Sequence, residues 1–361
     1  MPAKLTVATE LCTALGTLGY EILKEIPASP PTELDRVGPS DWQNLLASLN
    51  NSDHFTTLSN ALTNGNAFLK ANSALRGRLP RRIEWRGPTR TTGFEMVPAD
   101  LRIDHVYLVS CKYASNVLIN PSPMHLFDNL LQIRPTSTAK NWYHEVAQDE
   151  FVTLFQKTKT YIENSLPSSY LPDFPSSLKP NDKALIKEML SESRWPPQLL
   201  PYYQSLCDAV ATNTANRWRK NLSDLKTQEL LLWRMLRISE APYFMLGVAK
   251  DARETLRLRI GTPWDWNSLF KLKTFEVSPK IAGQPTVSWR AIVKEKATLN
   301  ELCIKGHVEI RWSHGRFIQN PEAKVYLDTP YKEIPGYFSI EDEVPSNRQG
   351  PHNNSFFSLF D

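Results

Sequence analysis

The sequence predicts a mixed α/β protein of the α+β kind, and three observations predict it. The first 75 residues carry apolar side chains at helical spacing. Between residues 81 and 113 the pattern changes to three short segments rich in β-branched and aromatic residues. Beyond about residue 254 strand patterns return and dominate. A chain of 361 residues, at roughly 150 residues per domain, suggests two domains. With 41% apolar and 22% charged residues it can build sizeable cores, which excludes disorder for most of its length.

Each element has its own signal. Leu5, Ala8, Leu11, Leu15 and Leu18 predict a first helix. A proline-rich loop over 27–39 follows, and Pro39-Ser40-Asp41-Trp42 looks like a capped helix start. Residues 54–75 read as an amphipathic helix through Leu58, Leu62, Phe68, Leu69 and Leu75, weakened in its middle by Gly65. Strands are predicted over 81–86, 98–104 and 106–113, the last two joined by a tight turn at Asp104 and His105. Residues 123–132 return to helix, giving the order helix, three strands, helix. Residues 140–165 are helical, a Pro/Ser-rich linker spans 166–182, and helical segments run over about 183–193, 199–219 and 222–238. The expected organisation is a helical lead-in and α/β core over 1–165, the linker, a helical segment over 183–250, a β-rich region over 251–340, and a mobile tail over 341–361.

Composition narrows the function classes. The net charge of +4 favours an anionic partner only mildly, so the placement of charge matters more than its sum. Cys12, Cys111, Cys207 and Cys303 are scattered, which argues against a structural zinc site or a disulfide framework and for free thiols in a reducing cytoplasm. Glu10 interrupts the apolar run that a secretory signal needs, and no run approaches the roughly 20 residues of a membrane helix. A cytoplasmic protein without membrane association is expected. The histidines form no HExxH or paired spacing, and neither a GxxxxGK[ST] loop nor a GxGxxG fingerprint occurs.

The chemistry concentrates between residues 84 and 112. Strand alternation puts Ser110 and Lys112 on one face of the third strand, with Cys111 turned the opposite way towards packing. Asp100 lies near the outer end of the neighbouring antiparallel strand, and a tight hairpin brings that end beside Lys112. A carboxylate beside a lysine at strand ends suits metal-dependent phosphodiester cleavage. Just upstream, Arg76, Arg78, Arg81, Arg82, Arg86 and Arg90 surround one acid, Glu84. Such a density of cations reads either as a phosphate-binding surface for DNA or as a solvated basic face.

Pro98-Ala99-Asp100 followed by Ser110-Cys111-Lys112 resembles the motif of the PD-(D/E)XK, or restriction-endonuclease-like, nuclease superfamily. The resemblance covers about residues 54–135. It implies a core of a helix, a three-stranded meander, a helix and a further strand, here with a helical insertion and a β-rich C-terminal region. It implies a hydrolase: a Mg²⁺-dependent (or Mn²⁺-dependent) DNA endonuclease of a restriction or antiviral-defence setting, with DNA and a protein of a defence complex as partners. Asp100 matches the first acid and a metal ligand, and Lys112 matches the catalytic lysine. Ser110 stands where the family carries Asp or Glu and cannot supply an anion. The second metal ligand is then Asp128, on the following helix, or Glu84, on the neighbouring strand. Members also use an acid on the first helix, but the helix over 54–75 contains none. If no second acid completes the site, the chain is a noncatalytic DNA-binding or scaffolding relative. In the β-rich region, Glu309, Arg311 and Ser313 share one strand face; with Arg316 they could reach DNA, but the favoured reading is an amphipathic outer strand followed by a Gly-containing turn.

Overall fold

Helix α1 (Lys4–Thr17) is buried from Val7 onward, because apolar and small residues occupy its whole circumference. Short strand β1 (Leu34–Asp35) and helix α2 (Pro39–Leu49) follow, the latter with proline in its first turn. Helix α3 (Phe55–Lys70) lies against α1. The chain is described by a computed structural model, which covers residues 4–87, 97–113, 115–132, 140–167, 170–191, 194–250, 254–281 and 283–341. Arg90 and the expected tail beyond Glu341 lie outside these described residues.

The three expected strands form, as β2 (Ile83–Trp85), β3 (Leu101–Ile103) and β4 (Tyr107–Tyr113). They make an antiparallel meander with Ile83 opposite Ile103 and Leu101 opposite Val109. Asp104 and His105 take positive φ of 47° and 62° in the connecting turn. Beyond β4 the chain leaves this sheet. It runs through β5 (Val117–Ile119), α4 (Pro123–Phe127), α5 (Trp142–Val146), α6 (Gln148–Ser165), α7 (Pro180–Met189), α8 (Leu200–Asn221) and α9 (Leu225–Met235). It re-enters as β6 (Tyr243–Val248), pairing parallel to β4, and turns back as β7 (Thr255–Ile260). Helix α10 (Pro263–Leu269) and strands β8 (Phe270–Ile281), β9 (Pro285–Glu295), β10 (Glu301–Arg311) and β11 (Glu322–Leu327) come next, before β12 (Tyr337–Ser339) returns to pair with β7.

Among the described residues there are ten α-helices, a seven-stranded mixed sheet of order β1-β2-β3-β4-β6-β7-β12, and a five-stranded antiparallel sheet of order β5-β11-β10-β9-β8. The mixed α/β class is therefore present. The chain forms two compact units: unit 1 is Met1–Ser115, Ala241–Ile260 and Tyr337–Asp361, and unit 2 is Asn116–Glu240 and Gly261–Gly336. The linear division suggested by composition differs from this, because β6, β7 and β12 gain their hydrogen bonds from strands far away in sequence. The stretch expected to be a linker carries buried Leu171 and Leu178 and the start of α7. The helix expected over 123–132 is only the five-residue α4, and it belongs to unit 2. Among the described residues, no helix is long and apolar enough to cross a membrane.

In unit 1, α1, α2 and α3 cover the sheet face that carries Ile83, Trp85, Leu101, Ile103, Val109, Phe244 and Leu246, all in one core. Strand alternation turns Glu84, Arg102, Ser110 and Lys112 to the other face. The α1–α3 crossing is close because glycines meet there. A Cβ on Gly65 would lie 2.1 Å from the Thr13 carbonyl oxygen, and one on Gly16 would lie 2.0 Å from that of Leu62. Gly65, which weakens a helix read in isolation, thus permits the contact that seats α1. Gly65→Ala gains up to about 1 kcal/mol of helix propensity but forces backbone apart, at about 1–3 kcal/mol for overpacking. We expect a lower urea midpoint for this variant. An unchanged midpoint would show that the helices separate without cost.

Candidate functional site

The site forms where β3 and β4 part. The Asp100 amide donates to the Val109 carbonyl at 2.8 Å, and the Asp100 carbonyl accepts from the Arg86 amide at 2.7 Å. At the next step of the ladder a side chain takes over. The Cys111 amide donates to Asp100 Oδ2 at 2.6 Å, and the Ser110 hydroxyl donates to the same oxygen at 3.4 Å. Asp100 is therefore held by the Ser-Cys-Lys strand itself. A carboxylate that accepts a backbone N–H is favoured in its charged form. Lys112 lies two residues beyond Ser110 on the same strand face and opposite Gly247 of β6.

A second carboxylate reaches this point from the helical layer. Glu10, in the middle of α1, is 6% exposed and accepts a 2.7 Å hydrogen bond from the Trp85 indole. Burial first, and the nearby Asp100 carboxylate second, push its pKa up to about 8 against the partial opposition of the Trp85 hydrogen bond. Burial, Asp100 and Glu10 in turn push the Cys111 thiol well above its ordinary value, while Thr13 opposes them. At neutral pH that thiol is not a nucleophile. Below Cys111 the strand is anchored by Tyr113, whose hydroxyl lies 2.7 Å from the Thr13 hydroxyl and accepts from Asn64 at 3.4 Å. Asn64 also donates to the Gly247 carbonyl at 3.0 Å and accepts from Arg257 Nε at 2.9 Å. This network fixes α1, α3, β4, β6 and β7 around the two acids.

Glu84 and Asp128, the two acids expected as alternative second ligands, sit differently. Glu84 is buried and ringed by three arginines and a histidine: His105 at 3.1 Å, Arg86 at 3.5 Å, Arg82 at 3.8 Å and Arg36 at 4.0 Å. A carboxylate already surrounded by positive charge is a poor cation ligand. Asp128 belongs to unit 2, where Arg217 grips it with two bonds of 2.7 and 2.6 Å and Asn221 adds a third at 3.2 Å. That carboxylate anchors α8 to the end of α4. An acid on a helix does lie near Asp100, but on α1 rather than on the helix read over 54–75: it is Glu10. Among the described residues no group of three or more His, Cys, Asp or Glu side chains is arranged to hold a metal ion. The pair Glu10 and Asp100 offers only oxygen donors, which suits a hard cation such as Mg²⁺, commonly bound through one or two carboxylates and substrate phosphate.

The arginine cluster is partly committed to structure. Arg78 pairs with Asp104 at 3.0 Å, Arg82 pairs with Asp35, and Arg86 is 8% exposed beside Glu84. Arg76 Nε donates to the Asn72 carbonyl at 2.6 Å, yet its side chain is exposed, as is that of Arg81. The surface that faces solvent is thus carried by Arg76, Arg78, Arg81 and Arg82, and Arg86 is an interior counter-charge. No family model, curated protein or solved structure matches this chain.

The Glu10 carboxyl links the site to folding. In the unfolded chain it releases its proton near 4.5, whereas in the folded chain it holds the proton to about 8. Between those values the folded state binds more protons, so stability falls as pH rises through the window. The limiting slope for one group is about 1.4 kcal/mol per pH unit. Glu10→Gln should remove this component. Urea midpoints measured between pH 5 and 8 without divalent cations test this; parallel curves for the two proteins would contradict the shift.

Proposed function

We propose that unit 1 is a metal-dependent nuclease of the restriction-endonuclease-like kind, acting on DNA in a restriction or antiviral-defence setting. The observation that carries the reading is the buried Glu10 carboxyl raised by the nearby Asp100 where β3 and β4 part, with Asp100 held by the Cys111 amide one residue before Lys112. The meander β2-β3-β4 with β6 added parallel beside β4 supports the helix, meander and further strand of that superfamily's order; the second helix is not part of unit 1, because residues 116–240 belong to unit 2. Burial and the nearby Asp100 carboxylate raise the Glu10 pKa, and a bound divalent cation would oppose both.

In this reading Glu10 and Asp100 hold Mg²⁺ or Mn²⁺. When bound, the ion supplies Lewis-acid polarisation of the phosphate and a lowered pKa for water. The protein's own groups do the rest. The Cys111 amide and Ser110 hydroxyl keep the Asp100 carboxylate aimed. Trp85 keeps Glu10 in its rotamer. Lys112 orients the attacking water or meets the charge that develops on the phosphate oxygens. Arg76 and Arg81 add phosphate contacts outside the site. The second reading, a noncatalytic DNA-binding relative, is favoured by one observation: Ser110 donates to Asp100 and supplies no second anion on the strand.

Incubation of DNA with purified protein and Mg²⁺ or Mn²⁺ separates the two. We expect Lys112→Ala and Asp100→Asn to slow cleavage by about 10²-fold or more, with DNA affinity nearly intact. Binding without any cleavage in the wild type would establish the noncatalytic reading. For binding itself, Arg76→Ala with Arg81→Ala should lower the slope of log affinity against log salt by up to about two units, near 0.9 per lost phosphate contact. An unchanged slope in the folded double variant would remove these arginines from the interface.

A further inference from the structure

A cavity of about 800 Å³ lies within unit 2. Its walls come from the start of α8 with the residues before it, from the β8–β9 turn, and from β10, β11 and the loop between them. Two kinds of side chain meet there. Arg194, Arg311, Arg316 and Lys324 are cationic, and Trp195, Tyr203 and Trp312 are aromatic.

The planar groups are already layered. Tyr203 stacks on Trp195 with ring centroids 4.7 Å apart and planes inclined by 26°. The Arg316 guanidinium lies over the Trp195 ring at 4.2 Å from its centroid. Arg316 Nη1 also donates to the Leu190 carbonyl at 3.4 Å, which ties its plane to the end of α7. Burial lowers the pKa of this guanidinium. Among the described residues, Arg311 pairs with Glu309 at 3.3 Å and Lys324 approaches Glu322 at 3.9 Å. An apolar ligand would meet the four cationic side chains of the lining without answering them, and a plain inorganic anion would leave the aromatic wall unused.

We propose that this cavity is a nucleotide-binding site, taking a base against the layered Trp195, Tyr203 and Arg316 planes and a phosphate against Arg194, Arg311 and Lys324. Base–aromatic stacking with flanking cations is the sequence-tolerant mode of nucleic-acid recognition. The volume lies within the range of small-ligand sites. The ligand is a free mononucleotide or a nucleotide of a single strand, and both present the same chemistry. This assignment does not depend on cleavage by unit 1.

The test uses the full chain in EDTA, so that metal-dependent cleavage cannot intervene. Binding of dAMP, of dCMP, of a fluorescein-labelled 12-nucleotide single strand and of the same sequence as duplex is measured by calorimetry or anisotropy. We expect saturable binding of the mononucleotides or of the single strand. Equal affinity for both identifies a free nucleotide, and preference for the strand identifies a nucleic-acid segment. Arg194→Ala with Lys324→Ala should weaken binding at least tenfold while the thermal midpoint stays the same. Arg316→Lys, which keeps the charge but loses the plane, should weaken nucleotides more than inorganic phosphate. The proposal is overturned by no binding at millimolar nucleotide and micromolar strand. It is equally overturned by affinity that survives the double variant, or by polyglutamate or inorganic phosphate binding as well as the nucleotides do.

Discussion

Two carboxyl groups cannot both be ionised in a poorly hydrated place unless a positive charge answers them. Glu10 and Asp100 impose that constraint on unit 1. Glu10 is carried in by a helix buried on all sides, so it cannot retreat to water. Asp100 is held by the backbone of β4, so it cannot turn away. The surrounding framework serves this opposition. Glycine at the α1–α3 crossing sets the depth of Glu10, and Asn64 and Tyr113 fix the strand on which Lys112 is mounted. Such an arrangement costs stability, and proteins retain a cost of this kind mainly where a ligand relieves it.

Glu84 offers a comparison within the same sheet. It is as buried as Glu10, but Arg36, Arg82, Arg86 and His105 approach it within 4.0 Å. Its neighbours are basic, whereas the neighbours that act on Glu10 are Asp100 and the Trp85 indole. The difference between the two acids is one of neighbours rather than depth.

The meander was legible in the sequence because its signals are local: period-two alternation in β4, and turn residues at Asp104 and His105 that tolerate positive φ. Asp100 and Lys112 followed from that hairpin. Glu10 did not, although it is the charged residue in the middle of an otherwise apolar helix. A lone acid in such a helix is a signal, but only tertiary packing shows whether it meets water or another acid. The arginine cluster misled for a related reason. Its partners Asp35, Glu84 and Asp104 come from three different segments, so sequence density overstated the positive charge left for a ligand. Gly65 was read by helix propensity, whereas its value lies in the surface it removes.

The pairing of β4 with β6 joins Val109–Tyr113 to residues about 135 positions later, a separation of the kind that slows folding. During synthesis β4 therefore emerges with β3 on one side and a bare edge on the other, and all of residues 116–240 must follow before that edge is covered. Unpaired edges of this length invite association with other chains. A fragment ending at residue 165 would contain every residue of the acid pair and the lysine. It would nevertheless present Lys112 on an open sheet edge, without the Gly247 carbonyl that Asn64 grips. The Asp100–Lys112 segment is local in sequence, but the sheet that holds it extends through β6.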